Sequence, residues 1–227
     1  MSITVVCATR FTKQAFFDRA ALGRSLAVTY GAFPIRLHLF QQNTHSLGAC
    51  YNKAIAAAGP DDIMVFVHDD VFLTDFNWMD KLLMGFERFD LLGVAGNIRR
   101  VPRQSSWAFV GDGDERTWDD PANLSGGVGH GSGFPCPLSL YGPPFRPCKL
   151  LDGVFLAARR KTFVDNDLRF DERFMFDFYD LDICRQFEAK GLRMGTIPLS
   201  LIHESGGQFG TPRWQDAYRT YLDKWTD

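Results

Sequence analysis

Short apolar blocks alternate with stretches of helical spacing over the first hundred residues. Residues 3–7 (ITVVC) form a compact apolar-rich run and predict a strand. Residues 12 to about 30 have helical composition and meet stop signals at Gly31 and Pro34. Residues 35–40 (IRLHLF) predict a second strand. Leu47, Tyr51, Ile55 and Ala58 then recur every three or four positions, with Ser46 as a suitable N-cap and Gly59-Pro60 as the stop. Residues 63–67 (IMVFV) read as a third strand. Asn77 can cap a helix bearing Trp78, Leu82, Leu83, Phe86 and Phe89, and residues 92–95 suggest a fourth strand.

This rhythm predicts an α/β fold, one domain built on a mostly parallel sheet with helices on both faces. Parallel strands are buried on both sides, which accounts for the unbroken apolar run at 63–67. Ligands of such sheets sit beyond the carboxyl ends of the strands. From residue 97 to 150 the periodicity dissolves into Gly, Pro and Ser. A segment that long predicts a functional insertion or lid rather than a linker, with the glycine-rich GGVGHGSG at 126–133 as a mobile loop. Order returns with an apolar run at 151–157. A helix at 180–191 turns Leu181, Cys184 and Phe187 inward, a short strand follows at 194–197, and a terminal helix spans 213–225.

Composition narrows the class. The 227 residues are 45% hydrophobic and 23% charged, the balance of a globular protein with a sizeable core. A formal net charge of −2 gives no global attraction to nucleic acid. Five cysteines (Cys7, Cys50, Cys136, Cys148 and Cys184) form no CxxC pair, which points to free thiols in a reducing compartment. The N-terminal apolar run is short and lacks a preceding charged region, so it is not read as a signal peptide. No run approaches the ~18 apolar residues of a membrane span. The expected location is the cytoplasm, with peripheral membrane association left open.

Three polar stretches carry candidate chemistry. His68-Asp69-Asp70 directly follows the third apolar run. Adjacent carboxylates there make either a solvated turn or a divalent-cation site, since hard cations take carboxylate oxygens. Asp177, Asp180 and Asp182 crowd the start of a helix. They either cap it, with Asp177 as N-cap, or supply a general base that the helix N-terminus helps to keep ionised. His203 follows a short apolar run and is either structural or a metal ligand. Two rival chemistries lack their signatures. No GxGxxG follows the first strand, which ends CATRFTKQ, and no GxxxxGK[ST] occurs anywhere.

The stretches VFVHDDV, LDGVFLAARRKTF, FDERFMFDFYDLDICRQFEAKGLRM and IPLSLIHESGG occur in that order. Together they resemble a GT-A glycosyltransferase of the family 2 type, in the branch named after a streptomycin-biosynthesis glycosyltransferase domain. The resemblance covers most of the chain and is weakest over residues 97–150. It implies that Asp70 contacts a metal ion, Mn²⁺ or Mg²⁺, and that His203 is a further ligand. Asp69 would lie near the nucleotide ribose or the metal, and His68 would occupy a position whose side chain need not touch the metal. YDLD aligns with an acidic EDxD motif, which implies Asp180 as catalytic base, with Asp182 as the other carboxylate and Tyr179 in place of a glutamate. Thr9 and Arg10 at the first strand end, with Asn43, Gly48 and Asn52, would face the nucleotide. Asp152 and Gly153 would lie near donor sugar and acceptor, where the loop aromatic Trp107, with Trp118 and His130, can contact an acceptor sugar.

The implied activity is metal-dependent, inverting transfer of a sugar from a nucleotide-sugar donor, a UDP-sugar by expectation, to a hydroxyl acceptor. Residues 1–100 would hold nucleotide and metal, and residues 101–227 would supply the acceptor loop, the base and the third metal ligand. The alternative is a non-catalytic nucleotide- or sugar-binding module that retains the fold.

Overall fold

The computed structural model describes residues 2–28, 35–111, 116–207 and 209–226. In chain order its elements are β1 (Ile3–Ala8), α1 (Lys13–Arg19), α2 (Ala21–Val28), β2 (Ile35–Phe40), α3 (Leu47–Ala57), β3 (Ile63–Val67), β4 (Val71–Leu73) and α4 (Trp78–Gly85). There follow β5 (Leu91–Gly93), β6 (Ala95–Asn97), β7 (Phe109–Val110), β8 (Thr117–Trp118), β9 (Leu124–His130), β10 (Leu138–Gly142), β11 (Pro147–Cys148) and β12 (Leu150–Leu151). The chain closes with β13 (Phe155–Arg159), α5 (Arg160–Asp165), α6 (Tyr179–Ala189), β14 (Met194–Thr196), β15 (Leu201–His203) and α7 (Pro212–Lys224).

The larger sheet has seven strands in the order β11-β14-β5-β13-β3-β1-β2. β1 pairs parallel with β2 and β3, and β14 pairs parallel with β5. β13 runs antiparallel between β3 and β5. An apolar run encodes burial but not direction. Direction depends on the route of the connection, and β13 is reached only after the excursion through residues 97–150. All five residues of β3 are buried, as its central place requires.

The smaller sheet orders β12-β6-β9-β15-β4, with β10 added on β9. Much of it comes from the stretch without periodicity. The expected mobile loop at 126–133 is corrected here, because residues 126–130 belong to the interior strand β9. Its glycines allow close backbone approach. A Cβ on Gly126, at φ +89°, would stand 1.9 Å from the carbonyl oxygen of Val94. Glycine in a strand marks such approaches and erases the alternation by which strands are recognised. Buried side chains of both sheets join one continuous cluster.

Other expectations shift by small amounts. The single helix expected from residue 12 is two, broken at Ala20, whose backbone is extended. Its expected stop at Gly31 and Pro34, with Tyr30, lies outside the described residues. Ser46 caps α3 as expected, its hydroxyl accepting from Ala49 N–H at 3.1 Å. Asn77 makes no side-chain cap to α4, which ends before Phe86 and Phe89. Residues 92–95 are divided between β5 and β6, one in each sheet.

Candidate active site

β3 is clamped between β1 and β13, so the residues leaving it start from a fixed point. Each of the three is tied to a different neighbour. His68 N–H donates to Val154 O at 3.4 Å, Asp69 O accepts from Leu22 N–H at 3.0 Å, and Asp70 O accepts from Glu204 N–H at 2.9 Å. The Asp69 carboxylate turns to the end of β1, where it accepts from the Thr9 hydroxyl at 2.6 Å. His68 and Asp70 turn toward β15. The antiparallel register of β15 on β4, His203 opposite Val71, sets His203 beside Asp70. Its Nε2 lies 3.3 Å from Asp70 Oδ1.

One donor atom from each of His68, Asp70 and His203 lies within 4.8 Å of the other two. The structure thus adds His68 to the expected pair. Asp70 Oδ1 is buried without a partner that meets it in good hydrogen-bond geometry, and His203 at 3.3 Å is its near polar contact. An orphaned buried carboxylate oxygen facing two imidazoles is a donor set that fits a divalent ion. Burial alone would raise the Asp70 carboxyl, but His203, then the charge of His68, bring it down to about 2. His203 responds in kind: burial opposes its protonation, yet the adjacent Asp70 carboxylate raises it above its ordinary value. His68 is lowered, first by burial and then by His203, against the pull of Asp70.

The opposite wall is the start of α6. Its N-cap is Phe178 and not the expected Asp177, which pairs instead with Arg213 at 2.8 Å. Phe178 adopts the left-handed conformation at φ 68°, a costly one for a side chain of this size. The compensation is packing. Its buried ring lies 5.2, 5.5 and 5.4 Å from Trp214, Tyr218 and Tyr221 of α7. The turn so held aims Asp180 into the site. Asp180 Oδ2 accepts from Gly153 N–H at 3.0 Å and Oδ1 from Leu181 N–H at 2.9 Å. The approach is possible only because residue 153 is glycine: a Cβ there would stand 2.3 Å from the Tyr179 hydroxyl and 2.9 Å from Asp180 Cβ.

Burial and then the negative charge of Asp152 push the Asp180 carboxyl up to about 7, against its backbone hydrogen bonds. The residue keeps a partial opening to the cavity. The surrounding bulk of protein, rather than complete closure, accounts for its desolvation. Asp182 has a different fate. It is fully buried and accepts from Trp225 Nε1–H and Gln186 Nε2–H, each at 2.8 Å, with Lys224 Nζ at 2.7 Å. It locks α6 to the end of α7.

Between these walls lies a cavity of about 300 Å³ lined by His68, His203, Asp152, Gly153, Asp180 and the aromatic segment at 105–109. Trp107, Trp118 and His130 all line it, so the irregular segment forms a folded wall of the site. Trp107 is buried, and its indole N–H donates to Asp152 Oδ2 at 2.7 Å. Asp152 Oδ1 accepts from Val154 N–H at 2.9 Å. Trp118 is 54% exposed and stacks near Tyr141, and His130 Nε2 meets the Ser139 hydroxyl at 2.9 Å. A second concavity of about 570 Å³, beside β11 and β14, has no histidine and only Glu188 as carboxylate, so it lacks the groups for this chemistry.

The residues expected at the nucleotide divide. Thr9 and Asp69 are bonded together, Arg10 is exposed beside them, and Asn43 N–H donates to Thr9 O at 2.8 Å. Gly48 and Asn52 have tasks in the fold. A Cβ on Gly48 would press on Phe170 and Asp171 at 3.1–3.2 Å. The Asn52 amide donates to Phe170 O and Glu172 and accepts from Phe170 N–H, which leaves neither hydrogen free for a nucleotide. Sequence reasoning missed His68 as part of the cluster and Tyr179 as its support. The available signal was the place of His68 and Asp70 at the carboxyl end of a buried strand, the edge at which such sheets bind ligands.

No protein-family model matches the chain, and no curated protein matches its sequence. Solved structures match it by fold. TarS of S. aureus superposes with a TM-score of 0.50 at 14% identity, over 90% of this chain and 37% of that one. GalNAc-T7, solved with UDP, GalNAc and Mn²⁺, superposes with a TM-score of 0.55 at 10% identity, over 100% of this chain and 48% of that one. Both are GT-A glycosyltransferases, and the fold of this chain is the same mixed α/β GT-A fold. The chain spans less than half the length of either. Among the described residues no helix is long and apolar enough to cross a membrane.

Proposed function

We propose that this chain transfers a sugar from a nucleotide-sugar to a hydroxyl acceptor with inversion, as one catalytic unit in which residues 1–100 hold the nucleotide and most of the metal site and residues 101–227 supply the acceptor wall, the base and the ligand His203. The observation that carries the reading is the pairing, across one cavity, of an imidazole–carboxylate cluster with a carboxylate whose proton affinity is raised to about 7. Under this reading Asp70, His203 and His68 hold a divalent ion, which when bound would stabilise negative charge on a diphosphate leaving group. Two imidazoles favour Mn²⁺ over Mg²⁺. The GalNAc-T7 structure with UDP and Mn²⁺ supports a uridine nucleotide by analogy of fold alone.

Asp180 takes the proton from the acceptor hydroxyl. Each of its oxygens accepts one backbone N–H and keeps a further lone pair. A base works best with a pKa near the operating pH, and burial beside Asp152 supplies that. One displacement inverts the anomeric centre and needs one base, which agrees with Asp182 being sequestered. Thr9, Arg10, Asn43 and Asp69 flank the nucleotide. Asp152, Gly153 and Trp107 border donor sugar and acceptor, and Trp107 acts partly by holding the Asp152 carboxylate in place. The order of motifs supports the family 2 type and its streptomycin-biosynthesis branch.

A thermal-shift panel of nucleoside diphosphates and UDP-sugars, with Mn²⁺, Mg²⁺ or EDTA, tests the reading. A ligand at 100 times its Kd stabilises the folded state by about 2.7 kcal/mol. A shift that requires both nucleotide and metal is expected. No shift with any nucleotide would overturn it.

A further inference from the structure

Tyr179 stands where the resemblance expects a glutamate, and the mechanism above gives its hydroxyl no task. Its surroundings do. The side chain is wholly buried, packed edge-on against Tyr51 at 5.7 Å between ring centres. Its hydroxyl makes two well-formed hydrogen bonds, with Gly153 O at 2.7 Å and His68 Nε2 at 2.8 Å, and the buried Tyr51 hydroxyl lies near it with a proton of its own to donate. A phenol carries one proton, and a carbonyl oxygen can only accept. The Tyr179 proton therefore goes to Gly153 O, since otherwise two oxygens would face each other at 2.7 Å with no hydrogen between them. His68 Nε2 must then be the donor toward the Tyr179 oxygen. A neutral imidazole with its proton on Nε2 carries its lone pair on Nδ1.

We infer that Tyr179 is a positioning residue that fixes His68 as the Nε2–H tautomer and so presents Nδ1 as a metal donor beside Asp70 and His203. The inference rests on the metal reading of that cluster given above. Metal-bound histidines commonly donate their second ring N–H to an oxygen, which orients the ring and sets the tautomer. A phenol oxygen relayed to a backbone carbonyl does this without adding a charge. A glutamate at position 179 would add a carboxylate beside Asp180 and Asp152, where negative charge already raises Asp180. Gly153 completes the device, since its carbonyl accepts the hydrogen bond from the Tyr179 hydroxyl and its missing Cβ leaves room for that hydroxyl.

The test is long-range ¹H–¹⁵N NMR of the histidine rings in metal-free protein, with His68→Gln to assign the signals, together with Mn²⁺ titration by calorimetry. Wild-type His68 is expected as the Nε2–H form. Tyr179→Phe is expected to give mixed tautomers and Mn²⁺ affinity lower by about 10–100-fold, the usual cost of losing an outer partner. Because that variant leaves two buried groups unpaired and can destabilise the fold, a second pair is read alongside it. His68→Asn keeps a donor atom near the Nδ1 position and should bind Mn²⁺ more tightly than His68→Gln, whose oxygen reaches the Nε2 position. His68 found as Nδ1–H in the wild type, a tautomer unchanged in Tyr179→Phe, or His68→Gln binding better than His68→Asn would overturn the assignment. A wild type with the Nε2–H tautomer and no Mn²⁺ binding would support the tautomer lock and overturn the metal reading alone.

Discussion

Asp70 and Asp180 belong to the same site and are driven in opposite directions. Both are substantially buried, and burial alone would raise both. Asp70 faces two imidazoles and is brought down to about 2. Asp180 faces another carboxylate and is raised to about 7. Like residues in one protein take different chemistry from their neighbours. One is suited to stay an anion at every working pH, and the other to exchange a proton near neutrality. A third carboxylate, Asp182, two positions along the same helix, is satisfied by Lys224, Trp225 and Gln186 and has no access to the site.

The sharpest break in this comparison is Asp70→Ala. Nucleoside diphosphate binding should lose its dependence on Mn²⁺ altogether, as read by calorimetry with and without EDTA. Unchanged metal dependence would remove Asp70 from the metal site. Asp180→Asn is the next largest effect. Turnover should fall by about two to four orders of magnitude with donor binding retained, the range for a lost general base. If Asp182→Asn is the inactive variant and Asp180→Asn turns over normally, the roles are reversed.

Asp182→Ala should act on stability. It leaves Lys224 without its buried partner, and breaking such a pair costs about 3–5 kcal/mol. Lys224 keeps Asp171 at 2.9 Å and is partly exposed, so the low end is expected in urea denaturation. The smallest effect is the pH dependence of stability. Asp180 has a folded pKa near 7 against an unfolded value of about 3.9. Its contribution is therefore fully present below about pH 4 and is lost as pH rises through 7. Asp70 has the opposite sign: its contribution is present above about pH 4 and lost as pH falls through about 2. Asp180→Asn should remove the Asp180 share of the stability profile between pH 5 and 8, whereas Asp70→Asn should change that interval only through the histidines, since His203 loses the carboxylate that raises it. The same titration predicts that turnover falls as pH drops below about 7. A flat rate between pH 5 and 8 would exclude Asp180 as the group that titrates.

Much of this was legible before any coordinates. The strands at 35–40 and 63–67, the Ser46 cap, and the clustering of polar residues after the third strand all follow from local rules. Apolar blocks, caps and stops act within a few residues and can be read locally, although Asn77 and Asp177 do not cap as their positions suggest. The polar residues that follow the third strand marked one wall of the site, and YDLD marked the other. The class of fold was equally accessible, since alternating strands and helices have few ways to bury both faces of a sheet.

Tertiary structure alone decided the rest. The antiparallel course of β13 depends on a long route and not on its own residues. β9 was hidden because its glycines serve contacts with Val94 and other distant backbone, contacts that no periodicity records. His68 joined the cluster because β15 pairs with β4, and Tyr179 found its task because Gly153 lets it reach His68. Asp180 and Asp182 differ in surroundings because one side of the helix lines the cavity and the other meets the end of α7. A sequence lists which groups exist, but proton affinity, metal geometry and hydrogen-bond direction depend on neighbours within a few ångströms, and distant segments supply most of those.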